Sequence, residues 1–349
     1  MEMRVLGKTD IKVPSICLGT MNWGNGQCDE AEAHAQLDYA VAHGVNFIDA
    51  AEVYPIPPTL ETQGLTETYI GTWLKKRGKR DDLIITSKIA CIDQSAVILH
   101  RDATKGMTRA SVREAVEGSL ARLQTDYIDL YQVHKPDRDL NNFGVRAYDK
   151  DLGMRGVEIE ETLTGLDDMV KEGKIRAIGI SNESPWGMSE YLRLSREKGL
   201  ERIVSIQNQY SLLNRTFELG LSEFVFREKV SLLAYSPLSM GALTGKYLKG
   251  ARPAGARHVL FARNEKRYNP ARAQNAIQKY VDLAKKYNID PSTFAIAFVA
   301  NRPFVTSVIV GATSVEQLKA DIEGGNFTLT EEMRQEMEKV YDEYPDPVA

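Results

Sequence analysis

The chain has 349 residues, with hydrophobic types at 43% and charged types at 26%, the composition of a globular protein able to bury a large core. Its 44 Lys and Arg stand against 48 Asp and Glu, a net charge of −4, which gives no electrostatic case for nucleic acid or an anionic membrane as partner. Cys17, Cys28 and Cys91 are odd in number and lack any Cys-x-x-Cys spacing, so neither a disulfide framework nor a zinc site is expected, and no metal is assigned. The opening Met-Glu-Met-Arg leads to Gly-Lys-Thr-Asp rather than to an apolar signal core. No stretch approaches the roughly 18 uncharged apolar residues of a membrane helix, and the cytoplasm is the expected compartment.

In chain order, runs 3–5 and 11–13 flank Leu-Gly-Lys-Thr-Asp and read as a β-hairpin. Strand-like runs then recur at 15–18, 46–48, 83–87, 128–132, 177–180, 204–207, 231–234 and 307–310. Helical periodicity fits between them. Segment 31–43 carries Ala35, Leu37, Ala40 and Val41 and stops at Gly44; segment 66–76 sets Tyr69, Ile70, Trp73 and Leu74 on one side. Segment 108–123 has Thr108 and Ser111 as cap candidates, 157–171 ends at Gly173, and 186–198 ends at Gly199. A last barrel helix begins near Ser314, and 330–341 forms a further helix with an acidic first turn.

Strict alternation of strand and helix implies a parallel sheet, and eight units without a linker favour closure. No Gly-x-Gly-x-x-Gly or Gly-x-x-x-x-Gly-Lys-Ser/Thr is present, which removes the main support for a Rossmann or P-loop fold. The expected fold is α/β: one (β/α)8 TIM barrel domain over residues 1–349, with an N-terminal β-hairpin. Connections 91–108, 136–156 and 245–272 are too long for turns. Each follows a strand, so all three are expected as extended loops on the C-terminal face, forming a lid or substrate pocket.

Asp49 ends Asn-Phe-Ile-Asp, Lys88 ends Ile-Ile-Thr-Ser-Lys, and His134 ends Leu-Tyr-Gln-Val-His, so three ionisable groups close three apolar strands. Tyr54 follows Asp49 by five residues, within reach of the same opening. The other histidines (His34, His43, His100 and His258) fall on expected helices or loops. Carbonyl reduction needs a hydride, a proton and dipoles facing the developing oxyanion. A tyrosine hydroxyl, ordinarily near ~10, is too weak an acid for this at neutral pH. A lysine ammonium ~4 Å away attracts the phenolate by roughly 4 kcal/mol at an effective dielectric near ~20, at most about 3 pKa units before desolvation. Asp49 would hold that lysine charged, and a neutral histidine can donate a hydrogen bond without surrendering its proton.

Phe-Ile-Asp-Ala-Ala-Glu-Val-Tyr, Ile-Thr-Ser-Lys, Asp-Leu-Tyr-Gln-Val-His, Gly-Lys-Ile-Arg-Ala-Ile-Gly-Ile-Ser-Asn and Ala-Tyr-Ser-Pro-Leu resemble, in order, the signatures of the aldo-keto reductases. The likeness runs from the hairpin to Leu318. Tyr-Pro-Ile-Pro-Pro, Glu-Thr-Gln-Gly-Leu-Thr-Glu-Thr-Tyr, Tyr-Ser-Leu-Leu-Asn-Arg and Leu-Thr-Gly-Lys-Tyr-Leu narrow it to a bacterial subgroup. The resemblance implies an NADP(H)-dependent reductase of small carbonyl compounds, with Tyr54 as proton donor, Lys88 and Asp49 in support and His134 orienting the carbonyl. It places Ser181, Asn182 and Gln207 at the nicotinamide carboxamide, Tyr235 on the nicotinamide ring, and Ser236 and Leu238 beside the pyrophosphate. Asn and Gln suit an amide, having both donor and acceptor.

Phosphate contacts are expected from 241–246, beginning at Gly241, from Arg252 and Arg257, and from 311–317, which holds Gly311, Thr313 and Gln317; loops after strands seven and eight form the usual barrel phosphate site. Lys246 and Arg257 match the basic residues that meet a 2′-phosphate, hence NADP(H). Two positions depart from the pattern: Lys135 stands where many relatives carry Trp, and Asp321 where relatives often have Asn near the adenine. Lys135 would favour an anionic substrate or point to solvent. The competing readings are a redox-sensing regulatory subunit that binds NADP(H) with little turnover, and Schiff-base chemistry at Lys88. Oligomeric state and physiological substrate are not legible.

Overall fold

The computed structural model describes residues 1–98, 101–141, 153, 155–261 and 266–348. Strands β1 (Met3–Val5) and β2 (Lys12–Pro14) pair antiparallel. The eight that follow are β3 (Ile16–Gly19), β4 (Phe47–Asp49), β5 (Ile84–Ile89), β6 (Leu130–Val133), β7 (Ile178–Ser181), β8 (Ile203–Gln209), β9 (Ser231–Tyr235) and β10 (Val305–Val310). They run parallel in sequential order, and β10 pairs with both β9 and β3 to close the barrel. This is the expected (β/α)8 architecture with its N-terminal hairpin. Among the described residues no helix is long and apolar enough to cross a membrane.

Because successive strand residues face opposite ways, each strand serves two environments. Ile16, Leu18, Ile48, Tyr131 and Val133 pack outward against the helices. Cys17, Phe47, Leu130, Val204 and Leu233 point inward and meet Leu6, Ile11 and Val13 of the hairpin, which therefore plugs the N-terminal end of the barrel. Gly7 makes the plug fit: at φ +58 its Cβ position lies 2.5 Å from the Val204 carbonyl oxygen. The opposite end carries inward-facing Asp49, Lys88, Gln132 and Gln207, all buried and all polar.

Helices α1 (Glu30–Ala42), α2 (Leu65–Arg77), α3 (Arg109–Leu123), α4 (Ile159–Lys171), α5 (Pro185–Lys198) and α6 (Leu221–Glu228) each precede the next strand. Thr108 caps α3 by accepting from the Ser111 amide, as its sequence position suggests. Within the long connection expected at 245–272 the chain forms α7 (Arg257–Leu260), and α8 (Ala271–Lys286) and α9 (Pro291–Ala300) follow it before the last strand. After β10 come α10 (Val315–Asn326) and α11 (Glu331–Glu343). Boundaries move little. Ile128 lies outside β6 as an isolated bridge to Ile175, Lys88 precedes the last residue of β5, and Gln207 lies two residues inside the end of β8. His100 and part of each long connection lie outside the described residues.

Gly71 of α2 faces the end of α3 so closely that an added Cβ would sit 2.1 Å from the Arg122 carbonyl oxygen. Gly71→Ala should therefore lose more to overpacking than the ~1 kcal/mol it gains in helix propensity, for a net cost of about 1–2 kcal/mol. A thermal melt checks this; an unchanged or raised midpoint would contradict so close an approach.

Candidate active site

The inward polar residues converge where β4, β5 and β6 end. Lys88 Nζ donates to Asp49 Oδ2 at 2.6 Å, to the Ala50 carbonyl at 2.8 Å and to Tyr54 Oη at 3.3 Å. An ammonium has three N–H bonds, so this fully buried charge is completely satisfied. Burial opposes the charge on Lys88, but Asp49 and then Tyr54 outweigh it and hold the pKa above its ordinary value. Burial pushes the Tyr54 phenol up, and Lys88 opposes that rise without overcoming it. The lysine effect expected from the sequence is present, but loss of water around the phenol is larger. A Schiff-base role does not fit, since Lys88 is enclosed behind Tyr54 with every N–H engaged.

His134 follows β6 and sets its ring edge-on to Tyr54, with centroids 5.3 Å apart and planes at 80°. Burial first, then the charge of Lys88, lowers its pKa to about 3, so the imidazole is neutral at physiological pH. Its Nδ1 is buried without a hydrogen-bond partner among the described residues. A buried N–H left unpaired is costly, which favours the tautomer with the proton on Nε2.

A cleft of about 1290 Å³ opens above these groups, larger than the ~300–1,000 Å³ common for small-molecule sites. The individually named residues expected at the site border it except Lys88, enclosed beneath Tyr54, and Arg252, which lies beside Tyr247 and His258 instead. Along one wall, Ser181 Oγ donates to the Gln207 carbonyl at 2.7 Å, and Gln207 Nε2 donates to Asp49 Oδ1 at 2.9 Å. Asn182 donates to the His134 carbonyl at 2.9 Å and accepts from Tyr235 Oη at 2.6 Å. Ser236, at φ +58, turns the chain away from β9 toward Leu238 and Gly241.

At the far end, Gln317 Oε1 accepts from the Thr313 amide and hydroxyl, both at 3.2 Å, beside the N-terminus of α10 and close to Gly311. Lys246 is exposed at the rim. Partial loss of hydration lowers its pKa, and among the described residues its Nζ meets no hydrogen-bond acceptor. Arg257 donates to Asn22 Oδ1, and Asn22 Nδ2 donates to the Gly311 carbonyl at 2.9 Å, so the segment after β9 spans the cleft to the loop after β3. A half-enclosed cation, a helix N-terminus and paired amides in one elongated cleft fit a dinucleotide with phosphates.

Lys135, expected to favour an anionic substrate or face solvent, has its Nζ 2.5 Å from Asp93, which also binds Arg155 at 2.6 Å. Its charge is balanced within the protein. Several groups beyond the expected residues organise the site. Glu52, between Asp49 and Tyr54, binds Arg101 and the Ala90 amide, tying the loop after β5 to the loop after β4. Asp137 accepts from the amides of Ile92 at 2.7 Å and Met107 at 2.9 Å, closing the 91–108 connection on itself. Gln132 meets Asp49. For Glu52 and Gln132 the available signal was a polar residue inside an otherwise apolar motif, whereas Asp137 lies in the polar run Lys-Pro-Asp-Arg-Asp.

Residues 15–342 match the Aldo/keto reductase family. The chain is 48% identical to protein tas of Escherichia coli (strain K12) over 353 aligned positions, covering 99% of each chain. It is 30% identical to the uncharacterized oxidoreductase YrpG of Bacillus subtilis (strain 168), covering 98% of this chain and 96% of that one. It is 29% identical to the NADH-specific methylglyoxal reductase of Escherichia coli (strain K12), covering 93% and 94%. A parallel (β/α)8 barrel with its polar cluster and cleft at the C-terminal mouth is the architecture of a barrel enzyme. This chain belongs to the aldo/keto reductase family, and its class is that of a carbonyl-reducing oxidoreductase.

Asp321 borders the cleft almost wholly buried, and burial, aided by Asp290, raises its pKa to about 7. A carboxyl with a raised folded pKa holds a proton that the unfolded chain releases near ~3.9, so stability falls as pH climbs from about 4 to about 7. The gap is worth at most about 4 kcal/mol. Asp321→Asn should therefore raise the melting temperature at pH 8 and leave it nearly unchanged at pH 4; equal effects at both would show that Asp321 ionises without penalty.

Proposed function

We propose that the chain reduces aldehydes or ketones to alcohols with NADPH, with Tyr54 as the proton donor and residues 1–349 acting as one catalytic barrel. The observation that carries this reading is the buried Asp49–Lys88–Tyr54 chain, whose phenol opens onto the cleft beside a neutral His134. NADPH, when bound, supplies the hydride for the carbonyl carbon. His134 Nε2–H is placed to hydrogen-bond the carbonyl oxygen, and Tyr54 Oη gives its proton to that oxygen as charge develops. Lys88 then stabilises the tyrosinate until solvent reprotonates it. A phenol held protonated by burial is in the correct state to begin a reduction.

Asn182 and Gln207 have amides suited to the nicotinamide carboxamide, with Ser181 fixing the Gln207 strand and Tyr235 offering a ring face. Ser236, Leu238 and Gly241 border the same cleft and are assigned to the pyrophosphate, and Gly311, Thr313, Gln317 and Asp321, which also border it, to the adenosine end. We assign the 2′-phosphate to Lys246, whose ammonium meets no acceptor among the described residues, with Arg257 as the second cation. One relative is named as NADH-specific, so the assignment of NADPH to this chain rests on these side chains and not on the family.

Following NADPH absorbance against a panel of aromatic and short-chain aldehydes tests the activity, and Tyr54→Phe should lower kcat by about 10²-fold or more. Reduction should stay flat between about pH 5 and 8, because His134 is neutral above about 3 and Tyr54 remains protonated; alcohol oxidation should rise into the alkaline range. Cofactor binding without turnover across the panel would favour a sensor over an enzyme. A histidine-like limb near pH 6.5 would remove His134 from the proposed role.

Lys246→Ala should raise the dissociation constant for NADPH roughly tenfold and leave that for NADH nearly unchanged, since only one of them carries the extra phosphate. Equal losses on titration by cofactor fluorescence would defeat the assignment.

A further inference from the structure

Asp49 has two carboxylate oxygens, and Oδ2 is the one that meets Lys88. Oδ1 turns into the barrel, where it accepts from Gln207 Nε2 at 2.9 Å and from Gln132 Nε2 at 3.3 Å. Gln132 is fully buried, donates also to Thr86 Oγ1 at 2.8 Å, and offers its Oε1 to Gln207 Nε2 at 3.4 Å. Both ends of this amide are therefore engaged. Two residues earlier on the same inward face, Leu130 is apolar and packs with the hairpin plug. Room for the longer polar side chain comes from Gly179 on the next strand: a Cβ there would lie 2.9 Å from Gln132 Cγ.

A buried amide costs free energy unless its hydrogen bonds are met, and an apolar side chain would fill the same space without that cost. What an apolar side chain cannot supply is an N–H directed at the carboxylate. Gln207 supplies another, but it borders the cleft and is our candidate for the nicotinamide carboxamide, so its amide serves two partners. Gln132 does not border the cleft, and its bond to Asp49 is independent of what the cleft holds.

We propose that Gln132 is a positioning residue for proton transfer, its amide holding Oδ1 of Asp49 so that Oδ2 keeps the Lys88 ammonium against Tyr54. The inference rests on the reading of Tyr54 as proton donor. Without the Gln132 dipole, the full charge of Asp49 would bear on Lys88 and draw the ammonium from the phenol. The potential at Tyr54 would also become more negative. Both effects make tyrosinate harder to form. The other groups facing Tyr54 and this pair (His134, Tyr235, Arg257 and the buried thiol of Cys17) are untouched by a change at Gln132.

The test is the pH profile of alcohol oxidation at saturating NADP⁺, where Tyr54 must lose its proton. Gln132→Met, similar in length but without a donor, should move the alkaline limb up by about one pH unit, with the NADPH dissociation constant unchanged. In the cofactor-free protein, the tyrosinate difference absorbance, with Tyr54→Phe subtracted, should move by the same amount. Thr86→Val removes the other acceptor of Gln132 and should leave the limb in place. Gln132→Glu keeps shape and polarity but donates to Asp49 only while protonated, so it should add a limb, absent from the parent, along which activity falls as pH rises. An unmoved or lowered limb in Gln132→Met, or no new limb in Gln132→Glu, overturns the proposal even if overall activity drops. If instead Tyr54→Phe keeps its activity, the reading of Tyr54 fails, a result distinct from one in which Gln132 alone proves inert.

Discussion

A buried ammonium needs an acceptor for each of its N–H bonds, because stripping an ion of water costs several kcal/mol and protein must replace what water provided. Lys88 finds its three acceptors on Asp49 at the end of β4, on the Ala50 backbone beyond it, and on Tyr54 farther along the same connection. None of these lies on its own strand. The charge can therefore be satisfied only after β4 and β5 have paired in the register that sets Asp49 beside Thr86 and the following loop has folded back over the barrel mouth. Removing one partner would leave an uncompensated charge where water does not reach. The groups proposed for catalysis are thereby tied to closure of the barrel itself.

That dependence extends outward. The positive charge of Lys88 is one reason His134 stays neutral, and burial is the larger one. The loop that presents Tyr54 is held from outside by Glu52, which joins Arg101 and the Ala90 amide, so the start of the connection after β5 is fixed to the same segment. Asp137, three residues beyond His134, gathers the amides of Ile92 and Met107. Three separate connections are joined by side-chain carboxylates rather than by secondary structure.

The strands were legible because a parallel barrel buries both faces of each, leaving short β-rich runs bounded by polar turns. The first five helices were legible from their apolar stripes and terminal glycines. Helix α9 carries no such signal: Phe294 to Ala300 is buried throughout, so hydrophobicity has no period to detect. Helix α6 has eight residues, too few for one, while α8 shows a clear stripe through Ala273, Ile277, Tyr280, Val281 and Ala284 but falls outside a count of one helix per strand. Asp49, Lys88 and His134 stood out because ionisable groups at the ends of apolar strands are rare. Gln132 is neutral and lies inside its motif, and only the inward direction of its side chain separates it from a surface glutamine. The pairing of Lys135 with Asp93 was out of reach, since 42 positions separate them and a loop conformation joins them.

The two ends of the barrel interior divide the work of the fold. Below, Phe47, Leu130 and Val204 meet the hairpin in an apolar layer whose contribution is burial. Above, Asp49, Lys88, Gln132 and Gln207 face inward from β4, β5, β6 and β8, and each hydrogen-bonds at least one other member. Such a layer is stable only when complete, because a half-satisfied buried network costs more than an apolar one of the same volume. The plug keeps water from the lower side, so the polar layer meets solvent or ligand only through the cleft. Within that enclosure the local dielectric is low, and a single amide aimed at Asp49 weighs more on Tyr54 than it would at a surface. The interior polar residues are thus structural and electrostatic at once: the packing that satisfies them also sets the charge environment of the phenol at the mouth.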